Sequence, residues 1–165
     1  MRDAVGSTWI FSLVITFTLI FSGFLVLALS YSKAYKVKNE ITSMIEKYEG
    51  ITLDDALNNK GSLAIINQYL YNAGYKAKGH CEVGMYGVDD LESNTIIMIT
   101  SSNNDKEYYY CIDTSSKSAS CSTIFTITVF YDFNLPFFGQ IKQYSITGQT
   151  NEIYKAYFLG NQISC

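Results

Sequence analysis

Between Asp3 and Lys33 the chain carries no charge: Ala4 to Ser32 is a run of 29 uncharged residues. As an α-helix such a run is roughly 43 Å long. A bilayer core needs about 20 apolar residues, and the apolar region of a signal peptide only about 7–15. From Thr8 to Leu29, fourteen residues are Leu, Ile, Phe or Val. Each contributes about −0.3 to −0.6 kcal/mol near the bilayer centre, so insertion is favoured by several kcal/mol. The scattered Ser and Thr can bond back to helix carbonyls. Residues 1–32 therefore read as a leader and transmembrane helix. A competing reading is cleavage after Ser30, because Ala28 and Ser30 place small residues where a signal peptidase reads.

The helical pattern continues past Lys33. Ala34, Val37, Ile41, Met44 and Tyr48 are spaced 3, 4, 3 and 4, one apolar stripe on a helix. Gly50 follows the last periodic residue and predicts the stop. One continuous helix from about residue 5 to 49, roughly 65 Å long, is the expectation, with residues 33–50 as an amphipathic stem. The stripe Ala34, Val37, Ile41 and Met44 is the expected helix-packing interface. Gly23 joins it, where a small residue allows close helix approach. The simpler alternative is that the stripe packs only on the chain's own head.

Charge divides the chain. Tyr31–Tyr48 holds four Lys and two Glu, and Glu49–Cys165 holds seven Lys and twelve acids. A basic stem under an acidic head argues against nucleic-acid binding, which needs a basic folded surface. It suits Lys side chains meeting anionic lipid head groups. Lys33, Lys36 and Lys38 on the C-terminal flank pull the head inward by the positive-inside rule. Four cysteines in a Tyr-rich β domain point to an oxidising exterior, and an extracellular head is the reading taken.

Residues 51–165 read as an α+β head. Thr52 is expected to cap a short helix over Leu53–Asn58, and Ser62 a second with Leu63, Ile66, Tyr69 and Leu70 on one face, ended by Gly74. "NTIIMITS" and "KEYYYCID" predict a hairpin. "STIFTITVFYDF" predicts a long central strand with a helix on one side. "NLPFFGQ" predicts a break at Pro136 and Gly139. "IKQYSITGQ" then predicts a further strand, and "EIYKAYFLG" a last one. The expected fold is a long N-terminal helix, short helices and an antiparallel sheet.

Cys81, Cys111, Cys121 and Cys165 make an even count, which predicts two disulfides. Three connectivities are open, and Cys111–Cys121 with Cys81–Cys165 is preferred. No C-x2-C pair supports a metal site with His80. His80 beside Cys81 reads as a loop histidine rather than part of a thiol site, since neighbours on a strand face opposite ways. Asp89, Asp90 and Glu92 read as a solvated loop without a calcium-loop pattern. Tyr108–Tyr110 and Phe137–Phe138 read as sheet packing, with any exposed remainder suited to protein contact. No catalytic residue, metal or cofactor is expected.

The layout resembles type IV pilin-like proteins. "RDAVGSTWIF", "YSKAYKVKNEI" and "LPFFGQ…SITGQT" are most similar to TadE-like minor pilins of Gram-positive tight-adherence loci. The likeness covers mainly the first fifty residues. It implies a non-enzymatic, single-pass envelope protein for surface-pilus assembly. The implied partners are the lipid bilayer and other pilin-like subunits or pilus-assembly membrane proteins. It implies processing between Gly6 and Ser7. The Glu that many members carry five residues after the cut is replaced by Phe11. The alternatives are a membrane-anchored ligand-binding or adhesion module, and a small domain released by signal peptidase.

Overall fold

The computed structural model describes residues 2–53, 60–117, 121–135 and 139–163; for 2–7, 116–117, 133–135 and 139–142 it describes the backbone. One helix, α1, runs without a break over Arg2–Lys47. It covers both the apolar run and the stem, as the periodicity predicts. Glu49 (φ 55°) and Gly50 (φ 132°) turn the chain out of it. A side chain at Gly50 would collide with the Tyr157 carbonyl, so this position requires glycine for space as well as for φ.

The stem half of α1 is the spine of the head. Ala34, Val37, Ile41 and Ile45 are buried in one cluster with Leu63, Ile66 and Leu70 of helix α2 (Ser62–Asn72) and with sheet residues. The predicted stripe is right through Ile41 and then departs. Ile45 is buried, whereas Met44 and Tyr48 are half-buried. Both sets satisfy helical spacing, and it is Ile45 that enters the core cluster while Met44 packs against its edge.

α2 keeps the predicted face, but Ser62 is its first residue and the N-cap is Gly61. The Ser62 hydroxyl donates to the Gly50 carbonyl at 2.8 Å, and the Thr52 and Ser62 amides each donate to the other's hydroxyl at 2.9 Å. These bonds tie α2 to strand β1 (Gly50–Ile51). Gly74 ends α2 at φ 59°, and the Tyr75 amide reaches back to the Leu70 carbonyl at 3.0 Å, the expected left-handed stop. The short helix expected over Leu53–Asn58 falls mostly outside the described residues.

The main sheet contains β2 (Tyr86–Val88), β3 (Ile97–Met98), β4 (Tyr110–Lys117), β5 (Ser122–Leu135) and β6 (Gly139–Gln149) in the order β3-β2-β4-β5-β6. All its neighbours are antiparallel. β5 is the long central strand the sequence predicts. The predicted hairpin between "NTIIMITS" and "KEYYYCID" does not form, because β2 lies between them and pairs with both. Asn103 folds the connecting loop by accepting from the Thr100 amide at 2.6 Å and donating to the Met98 carbonyl at 3.1 Å. That connection carries the chain from one side of β2 to the other, with β3 and β4 running in the same direction.

Alternation on β5 sorts the two faces. Phe125, Ile127 and Val129 point at α1, as do Tyr110 and Ile112 of β4. Phe130 and Cys111 point the other way, into a smaller cluster with Cys81, Ile99 and Tyr108. The C-terminal segment, expected as one strand, is broken at Lys155 and at Leu159–Gly160, all at positive φ. It forms β7 (Ile153–Tyr154) beside β5, then β8 (Tyr157–Phe158) and β9 (Asn161–Gln162). β8 pairs in parallel with β1, so the end of the chain clamps the point where α1 stops.

A membrane-competent helix and a basic cleft at its exit

α1 changes environment along its length. Every residue from Thr8 to Phe21 is exposed, with Trp9 at 73% and Phe17 at 66%. Thr8–Lys47 contains a stretch long and apolar enough to cross a membrane, with mean hydropathy 2.5. Three of its hydroxyls bond back to helix carbonyls. Thr16 donates to Ser12 O at 2.9 Å, Thr18 to Val14 O at 2.8 Å and Ser22 to Leu19 O at 2.9 Å. From Ser22 onward one face becomes covered: Gly23, Val26, Leu27, Ser30, Ala34, Val37, Ile41 and Ile45 are buried or half-buried, while Phe24, Leu25, Leu29, Tyr31, Tyr35 and Lys36 stay exposed. Gly23 thus lies on the same face as the stem stripe.

The head meets α1 through aromatic rings. Tyr31 stacks on Tyr35 at 6.3 Å and meets Tyr131 of β5 edge-on at 5.9 Å. Tyr131 stacks on its register partner Tyr144 of β6 at 5.4 Å. Burial, then the neighbouring Tyr144 and Tyr31 phenols, push the Tyr131 phenol up. Lys38 lies over the Tyr35 ring at 4.5 Å, and its aliphatic stem crosses β6 where Gly148 leaves room.

Next to this stack a cleft of about 280 Å³ opens between α1 and the turn after α2. Ser30 and Lys33 form its helix wall; Gly74–Ala77, Tyr131 and Asp132 form the rest. Lys33 Nζ donates to the Gly74 carbonyl at 3.2 Å. A second cleft, about 340 Å³, lies beside α2 with Lys60, Gln68 and Glu92 in its lining. There Lys60 is already bonded to Gln68 at 3.1 Å.

The structure joins Cys81 to Cys111, which replaces the preferred Cys111–Cys121 pairing. The register explains why. Lys117 pairs with Ser122, so Cys111 and Cys121 sit at opposite ends of the β4–β5 hairpin, about 20 Å apart at strand rise. Cys81 instead packs beside Cys111 in the smaller cluster with Ile99, Tyr108 and Phe130, their Cα atoms 5.7 Å apart. Cys81 is spent on Cys111, so the preferred Cys81–Cys165 pairing is overturned as well; Cys121 is disulfide-bonded too, and Cys165 lies outside the described residues.

His80 is exposed, with Nδ1 3.1 Å from the Lys106 carbonyl, and its neighbour Cys81 is consumed in the disulfide. Among the described residues no three His, Cys, Asp or Glu side chains gather as a metal site. Asp89, Asp90 and Glu92 follow β2 as a loop, where Asp90 accepts from the Glu92 amide at 3.0 Å and Lys78 from below donates to the Asp89 carbonyl at 2.9 Å. Tyr108 and Tyr110 enter different clusters, because Tyr109 is a bend and β4 begins only at Tyr110. Both are fully buried, and half-buried Tyr109 carries the Lys78 ammonium over its ring at 4.3 Å. Phe137 and Phe138 lie outside the described residues. α1 runs through Gly6 and Ser7.

The Tyr31–Tyr131–Tyr144 stack and the basic cleft were not legible in advance. The only sequence signal was the clustering of Tyr with Lys just past the apolar run. The chain matches no family model, no curated protein and no solved structure.

Proposed function

We propose that this chain is a single-pass envelope protein of the pilin-like kind, a subunit or accessory of a surface pilus, which acts by helix packing rather than by a reaction. The observation that carries this reading is the division of α1. Its N-terminal part is apolar and exposed on all sides, while its C-terminal part is the core of a disulfide-bonded β head. The disulfides favour a head on the oxidising side of the membrane. The contact surface of such a subunit differs from the one the stripe suggested. Ala34, Val37 and Ile41 are already buried in the chain's own head, and half-buried Met44 packs against that same core. Helix partners are therefore left with the exposed span around Phe11, Val14 and Phe17, and with the outer side of the stem.

The test is N-terminal sequencing of the mature protein from cells, combined with a photocrosslinker placed at Phe17. Retention of the helix (a start at Met1 or Ser7) with crosslinks to other membrane helices is expected. A start at Tyr31, with the domain found in the medium, overturns the reading.

A further inference from the structure

We propose that the cleft between α1 and the α2 turn binds the phosphate of a lipid head group, with Lys33 and Lys76 as its cationic walls. The inference rests on the reading of α1 as a membrane helix. A bilayer with its polar layers is about 40–45 Å thick, and the uncharged run Ala4–Ser32 is roughly 43 Å of helix. Ser30 and Lys33 end that run, so the cleft lies at head-group depth on the head's side. Tyrosine and lysine are the residues that favour this layer. The Tyr31, Tyr35, Tyr131 and Tyr144 rings lie beside the cleft.

The charges fit a phosphodiester. Lys33 and Lys76 against Asp132 leave one net positive charge in the lining, matching one diester anion. Lys33 is held in place by a single bond to the Gly74 carbonyl. An ammonium has three donors, so two remain for a phosphate. Asp132 in the same lining disfavours a dianion. At about 280 Å³ the cleft is small for a larger organic ligand.

The full chain, purified in a neutral detergent, would be titrated with short-chain phosphatidylglycerol, short-chain phosphatidylethanolamine and inorganic phosphate, following amide NMR signals of Gly74, Lys76 and Ala77. Saturable shifts with a phospholipid, weakened at least five-fold in K33Q/K76Q with the remaining signals unchanged, are expected. A single K76Q variant guards against loss of the Lys33–Gly74 bond. Absence of saturable shifts, or equal affinity in both variants, overturns the proposal. Equal affinity for inorganic phosphate overturns the lipid source. Carbonate washing of cell membranes separates the two readings: a chain that washes off sinks the membrane reading, while a retained chain without shifts sinks the cleft alone.

Discussion

Tyr31 of α1 meets Tyr131 of β5 edge-on, their centroids 5.9 Å apart with the planes at 85°. Tyr131 continues the contact into Tyr144 on β6. This chain of rings fixes how far along the helix the sheet sits.

Replacing Tyr131 with Ala removes two aromatic contacts and should destabilise the head by about 1–3 kcal/mol. Tyr131→Phe keeps both rings and should stay near the wild-type value. Urea unfolding in detergent, followed by near-UV circular dichroism, distinguishes them. Equal stability of the two variants would show that the rings hold nothing.

Tyr110 donates to Asn67 Oδ1 at 2.8 Å inside the core. Burial raises its phenol well above the usual value near 10, and raises Tyr75, whose hydroxyl donates to the Phe130 carbonyl, in the same way. A raised folded value means the unfolded chain loses these protons first. Stability should therefore be level below about pH 10 and fall as pH climbs above it towards the folded values. Tyr110→Phe strands the Asn67 oxygen, so it should cost about 1–3 kcal/mol at neutral pH while flattening part of the alkaline fall. Denaturation midpoints at about pH 8 and about pH 11, with tyrosinate absorbance, measure both.

Ile41 and Ile45 are completely buried, whereas Phe17 is two-thirds exposed. Ile41→Ala and Ile45→Ala should each cost about 2–5 kcal/mol of head stability. Met44→Ala should cost less, because Met44 is half-buried. Phe17→Ala should leave head unfolding unchanged. A head insensitive to Ile45→Ala would contradict the observed packing.

The Cys81–Cys111 bond spans 30 residues. Closing a loop of that length is worth about 3–4 kcal/mol on chain-entropy grounds, so Cys81→Ser with Cys111→Ser should lower stability by about that much. A non-reducing peptide map should recover a crosslinked pair carrying both residues. Recovery of a Cys111–Cys121 peptide would reject the pairing.

Local pattern carried much of the fold. The uncharged run, the stem spacing from Ala34 to Ile41, the Gly74 stop and the alternation of β5 depend on neighbours within one element, so periodicity exposes them. The site was less legible. Ile45 and Met44 satisfy the same helical spacing, and Ser62 suits either a cap or the first turn. The two lysines of the cleft, Lys33 and Lys76, lie 43 residues apart in sequence.

The sequence by itself determined that a long apolar helix leads into an α+β head with paired cysteines, because hydrophobic period and composition are local properties. Only the tertiary structure decided that β2 separates β3 from β4, that Cys111 meets Cys81, and that the stem stripe is spent inside the head. Those outcomes depend on register and on which distant segments compete for one edge or one face. A one-residue shift on β4 would have pointed Cys111 at α1 and Tyr110 away from Asn67.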